Sequence, residues 1–242
     1  MKRIFFVLLL TLLWCAPAKA ATYDSFIGSC ATSSGTSIGS CSLTVGSGVT
    51  NGAVQVGILF DVSVGSPSGI SITVGGNAAT LLSGSGQTGG FANSYIYCIA
   101  TGSTTGATAI AASWTGTSGA RMIAVSASGV DQTTPCNNGT AENPGFGGIY
   151  SLVITSAVGD LSIDFAGALG IGAPVVNPNQ TSITQDANGF TSLSSSRATT
   201  PAATVTHTWD ALGGFETHSG GNFKANGGGG ATRRRGGSAQ GQ

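Results

Sequence analysis

The chain has 242 residues, of which 40 are glycine, 40% are apolar and only 7% are charged. Abundant Gly, Ser and Thr with so little charge would suit a disordered chain, but the apolar residues recur at strand spacing, which excludes that class. Nine basic residues balance nine acidic ones, and the body of the chain lacks the clustered Lys/Arg that a nucleic-acid-binding face requires.

At the start, Lys2 and Arg3 precede an apolar run from Ile4 to Trp14, and Ala18-Lys19-Ala20 supplies a small-x-small cleavage site. This is the pattern of a secretory signal peptide over residues 1–20, which places the mature start near Ala21. The run is shorter than the ~20 apolar residues of a membrane-spanning helix, and no later segment approaches that length. Cys15 follows a bulky Trp14 where lipoprotein processing wants a small residue. Removal of Lys2, Arg3 and Lys19 leaves six basic residues against nine acidic ones, and three of those six are Arg233, Arg234 and Arg235. The expected location is secreted, periplasmic or on a cell or particle surface.

Residues 53–64 form the clearest strand: Val54, Val56, Ile58, Phe60, Val62 and Val64 fall on one face, with Gln55, Gly57, Asp61 and Ser63 on the other. Ile70, Ile72 and Val74 repeat the alternation, and Gly75-Gly76-Asn77 turns the chain into residues 78–82 as a hairpin. Further strands are expected at 94–100, 108–114, 121–128, 151–155, 161–168, 190–196 and 203–209, separated by Gly-rich turns such as 84–90, 116–119 and 145–148. No stretch shows the apolar stripe of a helix over three turns. Many short strands without crossover helices predict an all-β fold, a single antiparallel β-sandwich of jelly-roll or Ig-like kind, spanning 21–226. An outer-membrane barrel would need aromatic girdles, and rings are sparse here. Residues 227–242, with four glycines and three arginines, predict a disordered tail, and the arginines are too few to define an anionic docking site.

Four cysteines follow the signal: Cys30, Cys41, Cys98 and Cys136. An oxidising compartment makes them disulfide candidates with three pairings open, of which Cys30 with Cys41 and Cys98 with Cys136 are favoured because each closes a local loop. Paired Cys/His spacing for a metal is absent, and neither a metal nor another cofactor is expected.

Candidates for chemistry are few. Gly35-Thr36-Ser37-Ile38-Gly39 matches a nucleophile-elbow pattern, yet lacks the strand-to-helix turn that the motif depends on. His207 shares a strand face with Val205 and Trp209 and reads as a hydrogen-bonded core or rim residue; His218 reads as a loop residue. Asp160 and Asp164 fall on one strand face, opposite Leu161, Ile163 and Phe165, and read as a solvated pair. The acids form no calcium loop. Two sequons, at Asn138 and Asn179, mark expected surface loops. The chain is therefore expected not to be an enzyme. Tyr95, Tyr97, Tyr150, Trp114 and Trp209 are the rings that could serve a sugar-binding face, although each suits a core equally well by residue type.

Five segments carry a resemblance: ISITVGGNAATLL (Ile70 to Leu82), SYIYCIA (Ser94 to Ala100), SASGVDQTTP (Ser126 to Pro135), GDLSIDFAG (Gly159 to Gly167) and ATVTHTW (Ala203 to Trp209). From Val45 to Trp209 the chain resembles uncharacterised secreted or phage-encoded β-sandwich modules, with GVDQTTP the most specific element. The resemblance implies the fold and an extracellular or virion-surface setting, and supplies no catalytic residues. Where such modules carry apolar residues this chain has Cys98, Cys136 and His207, consistent with the two cysteines being partners. The expected function is a non-catalytic surface module for binding glycan or envelope material, or for structural or adhesive display. A secreted hydrolase of polysaccharide or ester is the alternative.

Overall fold

A computed structural model describes residues 20–227, apart from 64, 89, 171–174, 179, 189–190 and 199–202. Residues 1–19 of the expected signal peptide 1–20, the expected tail beyond 227 and Asn179 of the second sequon lie outside the described residues. As the alternation predicts, the chain is all-β and antiparallel, with no helix among the described residues; none therefore is long and apolar enough to cross a membrane.

The first sheet contains seven strands: β1 (Thr22–Val45), β2 (Gly52–Asp61), β3 (Ser68–Val74), β4 (Asn77–Ala78), β5 (Thr80–Leu81), β6 (Ala92–Gly102) and β7 (Gly106–Ser128). The second contains β8 (Cys136–Thr155), β9 (Leu161–Leu169), β10 (Val175–Val176), β11 (Gln180–Asn188), β12 (Thr191–Ala198) and β13 (Thr204–Phe223). Two turns expected from glycine content are absent. Residues 116–119 lie inside β7, and 145–148 lie inside β8, where the pairing with β1 and with β13 shifts register and the chain continues without reversing. β1 runs beside all of β7 with five register shifts, while the other edge of β7 serves β3 with its first half and β2 with its second.

This arrangement puts β2 in the middle of the molecule, and all ten of its residues are buried. Val54, Val56, Ile58 and Phe60 join Leu43, Ile72, Ile110, Trp114 and Met122 in a core lined by the first sheet alone. The opposite face, which carries the polar Gln55 and Asp61, is buried as well: Ala53 and Leu59, with Ile96, Ile123 and Val125, pack against Ile163, Phe165, Leu169, Leu193 and Phe223 of the second sheet. Full burial of one such side chain is worth about 1.5–3 kcal/mol, so the double-sided strand is the main apolar anchor of the fold. Glycine permits the closest approach: a Cβ on Gly57 would overlap the Phe165 ring, and one on Gly167 would stand 2.8 Å from Leu59 Cδ1.

Both favoured disulfides are present. Cys30–Cys41 closes a loop within β1, whereas Cys98–Cys136 joins β6 of the first sheet to β8 of the second. The GVDQTTP segment sits beside the second bridge. Gln132 accepts from Gly102 N–H and donates to Gly52 and Val130 carbonyls, while Asp131 caps the Thr133 and Thr134 amides and pairs with Lys224 at 3.0 Å. The Thr134 amide, Lys224 and the Thr133 amide hold the Asp131 carboxyl below its usual value. The motif is thus a clasp between strand ends.

Candidate functional site

β9 alternates its side chains between two environments. Ile163 and Phe165 face the first sheet, whereas Ser162 and Asp164 point to the far side of the second. Register brings Ser196 of β12 and Gly220 of β13 opposite Asp164. Gly220 has no side chain to fill that place, and a Cβ there would overlap Leu152 and Ile154. β13 contributes twice, because its first half carries His207 and Trp209 and its second half carries His218.

Asp164 is the hub of the resulting buried network. Its Oδ1 accepts from the Ser196 amide at 2.9 Å and the Ser196 hydroxyl at 2.6 Å, with His207 Nδ1 at 3.3 Å. Its Oδ2 accepts from Trp209 Nε1 at 2.5 Å and lies 2.6 Å from His218 Nε2. His207 Nε2 reaches Ser162 Oγ at 2.9 Å and its Nδ1 reaches Ser196 Oγ at 3.1 Å. Gln180 of β11 closes the open side: its Nε2 donates to Ser196 Oγ at 2.6 Å, and its Oε1 accepts from the Thr208 amide at 2.5 Å. Burial pushes the Asp164 carboxyl up, but the charge and hydrogen bond of His207, and the hydrogen bond and charge of His218, outweigh it and hold the group well below the usual carboxylate range. On the other flank the Tyr150 ring meets His218 edge-on at 5.3 Å. Burial, and then the negative charges of Glu216, Asp164 and Glu142, push the Tyr150 phenol well above its ordinary value.

Ser162, His207 and Asp164 stand in the order of a nucleophile, base and orienting acid. Their exposures are 2%, 0% and 0%, so the serine meets no surface in this conformation. Among the described residues no group of three or more His, Cys, Asp or Glu is arranged to hold a metal. No family model, curated protein or solved structure matches the chain.

Several expectations change. Asp164 is fully buried and Asp160 is 6% exposed, its Oδ1 accepting from the Ala225 amide, so neither belongs to a solvated face. His218 is in a strand and buried, because β13 runs on past the end expected at Trp209. His207 is the hydrogen-bonded core residue that its strand face suggests. Of the five rings, Tyr97, Tyr150, Trp114 and Trp209 are buried; Trp114 stacks edge-on with Phe60 at 5.0 Å. Only Tyr95 is half-buried, and it too packs against the first core. These rings form no exposed platform because strand alternation turns them inward. Ser37 of the elbow-like pattern is an exposed residue within β1, without the strand-to-helix turn.

A surface groove of about 490 Å³ lies beside the Cys98–Cys136 bridge. Thr80, Leu81, Thr133, Thr134, Asn137 and Asn138 line it. Leu81 is 45% exposed there, so the groove offers apolar surface next to hydroxyls and amides.

Proposed function

We propose that the chain is an exported, non-catalytic β-sandwich module of a cell or particle surface, and that the groove beside Cys98–Cys136 binds glycan or envelope material. The observation that carries this reading is the groove itself: an open, concave site that joins an exposed Leu81 to hydroxyl and amide donors on a disulfide-braced wall. Sugar recognition uses that combination, because an apolar surface covers the carbon face of a ring while a few polar groups fix its hydroxyls. The signal-peptide pattern and the oxidised cysteines support an extracytoplasmic setting. Glycan-array screening of the mature protein, beside Leu81→Asp and a form ending at Gly227, tests it. Binding that Leu81→Asp abolishes and truncation spares is expected; binding that survives Leu81→Asp would move the site elsewhere, and none on any glycan or envelope fraction would remove the reading.

A secreted hydrolase is the second reading, favoured by the Ser162–His207–Asp164 geometry. It requires an opening that admits substrate to Ser162. Labelling of Ser162 by a fluorophosphonate would support it, and no labelling of the folded protein counts against it.

A further inference from the structure

Gln180 and Ser196 meet in a setting built for acyl transfer. The orientation of the Gln180 amide follows from its neighbours, since a backbone N–H of Thr208 can only be met by the carbonyl oxygen, which leaves Nε2 against Ser196 Oγ at 2.6 Å. That backbone donor polarises the carbonyl in the manner of an oxyanion hole. The Ser196 hydroxyl, wholly buried, donates to the Asp164 carboxylate at 2.6 Å. His207 Nδ1 stands 3.5 Å from Gln180 Nε2 and 3.1 Å from Ser196 Oγ, between the nucleophile and the leaving group. A nucleophile, a proton acceptor and a proton donor, all three fully buried, and a donor to the carbonyl oxygen therefore converge on one half-buried amide.

We propose that Ser196 and Gln180 form an intramolecular ester cross-link. Ser196 Oγ attacks the Gln180 side-chain carbonyl carbon as its proton passes to Asp164 Oδ1, and the oxyanion of the tetrahedral intermediate is held by the Thr208 N–H. The C–N bond then breaks, with His207 Nδ1 giving its proton to the departing nitrogen. Asp164, 3.3 Å from that nitrogen of His207, returns the proton it took, so both groups are restored. In balance, one hydroxyl and one primary amide become one ester and one ammonia, and no oxidant or co-reactant is needed. The bond fastens the edge strand β11 to β12, with its Ser196 end fully buried and its Gln180 end half-buried. The inference is independent of what the groove binds.

The test is intact-mass spectrometry of the reduced, denatured mature protein secreted from the full chain, with peptide mapping. The expected result is a mass lower than the sequence mass by one ammonia, a peptide pair joined between residues 180 and 196, and release of that pair by hydroxylamine. Ser196→Ala is expected at its full sequence mass. Wild-type protein at full mass with the two peptides recovered separately would overturn the proposal. So would an ammonia deficit that persists in Ser196→Ala, since it would arise elsewhere.

Discussion

His218 Nε2 lies 2.6 Å from Asp164 Oδ2, with both side chains completely buried. A carboxylate in such a place is stabilised only by its partners, and this one serves the indole of Trp209, the hydroxyl and amide of Ser196 and two imidazoles at once. Asp164→Ala removes the acceptor common to them all and leaves buried donors unmet. A loss of about 3–5 kcal/mol is expected, the scale for breaking a buried charge network from one side. Urea unfolding followed by tryptophan fluorescence measures it; a loss below about 1 kcal/mol, the net worth of one ordinary hydrogen bond, would show that the network has no hub.

The same carboxylate sets a pH dependence. Its folded value is depressed below the ordinary 3.8, so the unfolded chain binds its proton first as pH falls. The stabilisation is complete above that unfolded value and drains as the solution is acidified towards the folded one. Wild type is therefore expected to lose stability faster than Asp164→Asn below about pH 4, the two curves running parallel above about pH 6. Urea midpoints measured from neutral pH to pH 2 decide it, and parallel curves throughout would refute the assignment.

Why β2 was legible and Asp164 was not follows from what alternation encodes. Val54, Val56, Ile58 and Phe60 announce one buried face, and a core formed there. The other face of β2, with Gln55 and Gly57, resembles a solvent face because packing against Phe165 requires a small residue instead of an apolar one. Asp164 and Ser196 mislead similarly: polar residues on alternate positions signal water, unless other strands supply hydrogen-bond partners, and those partners lie 32 to 54 residues away. β1 was invisible for a related reason. Only Ile27, Ile38, Leu43 and Val45 are its buried aliphatic positions, and its pairing with β7 is broken by register shifts that erase a period of two. The cysteine pairing was readable because short loops and an oxidising compartment constrain it. The groove was not, because its wall joins β5 to the start of β8, 55 residues further along.

Gly57 makes the packing argument testable. A methyl group added there would overlap the Phe165 ring, and neither central strand can move without disturbing a second core. Gly57→Ala is expected to destabilise by about 1–3 kcal/mol through overpacking. Combining it with Phe165→Leu should cost less than the sum of the two single changes, since the shortened side chain vacates the contested space. Strict additivity in chemical denaturation would mean that the two residues do not share it.

The two disulfides are expected to differ in worth. Cys98 and Cys136 are separated by 38 positions and Cys30 and Cys41 by 11. On loop entropy alone the first bridge stabilises by about 4 kcal/mol and the second by about 3 kcal/mol. Position widens the gap: Cys98 and Cys136 are buried in the cluster between the sheets, whereas Cys30 and Cys41 lie within one strand at the margin of the first core. Replacing Cys98 and Cys136 by Ala therefore loosens the attachment of one sheet to the other as well as lengthening the unfolded chain's freedom. Unfolding of the two paired Cys→Ala variants in urea is expected to place the Cys98/Cys136 variant lower by at least about 1 kcal/mol, the difference the loop lengths set. The reverse order would mean that the strength of the inter-sheet contact lies in Phe165, Leu59 and their neighbours alone, with the bridge adding little to what packing already holds.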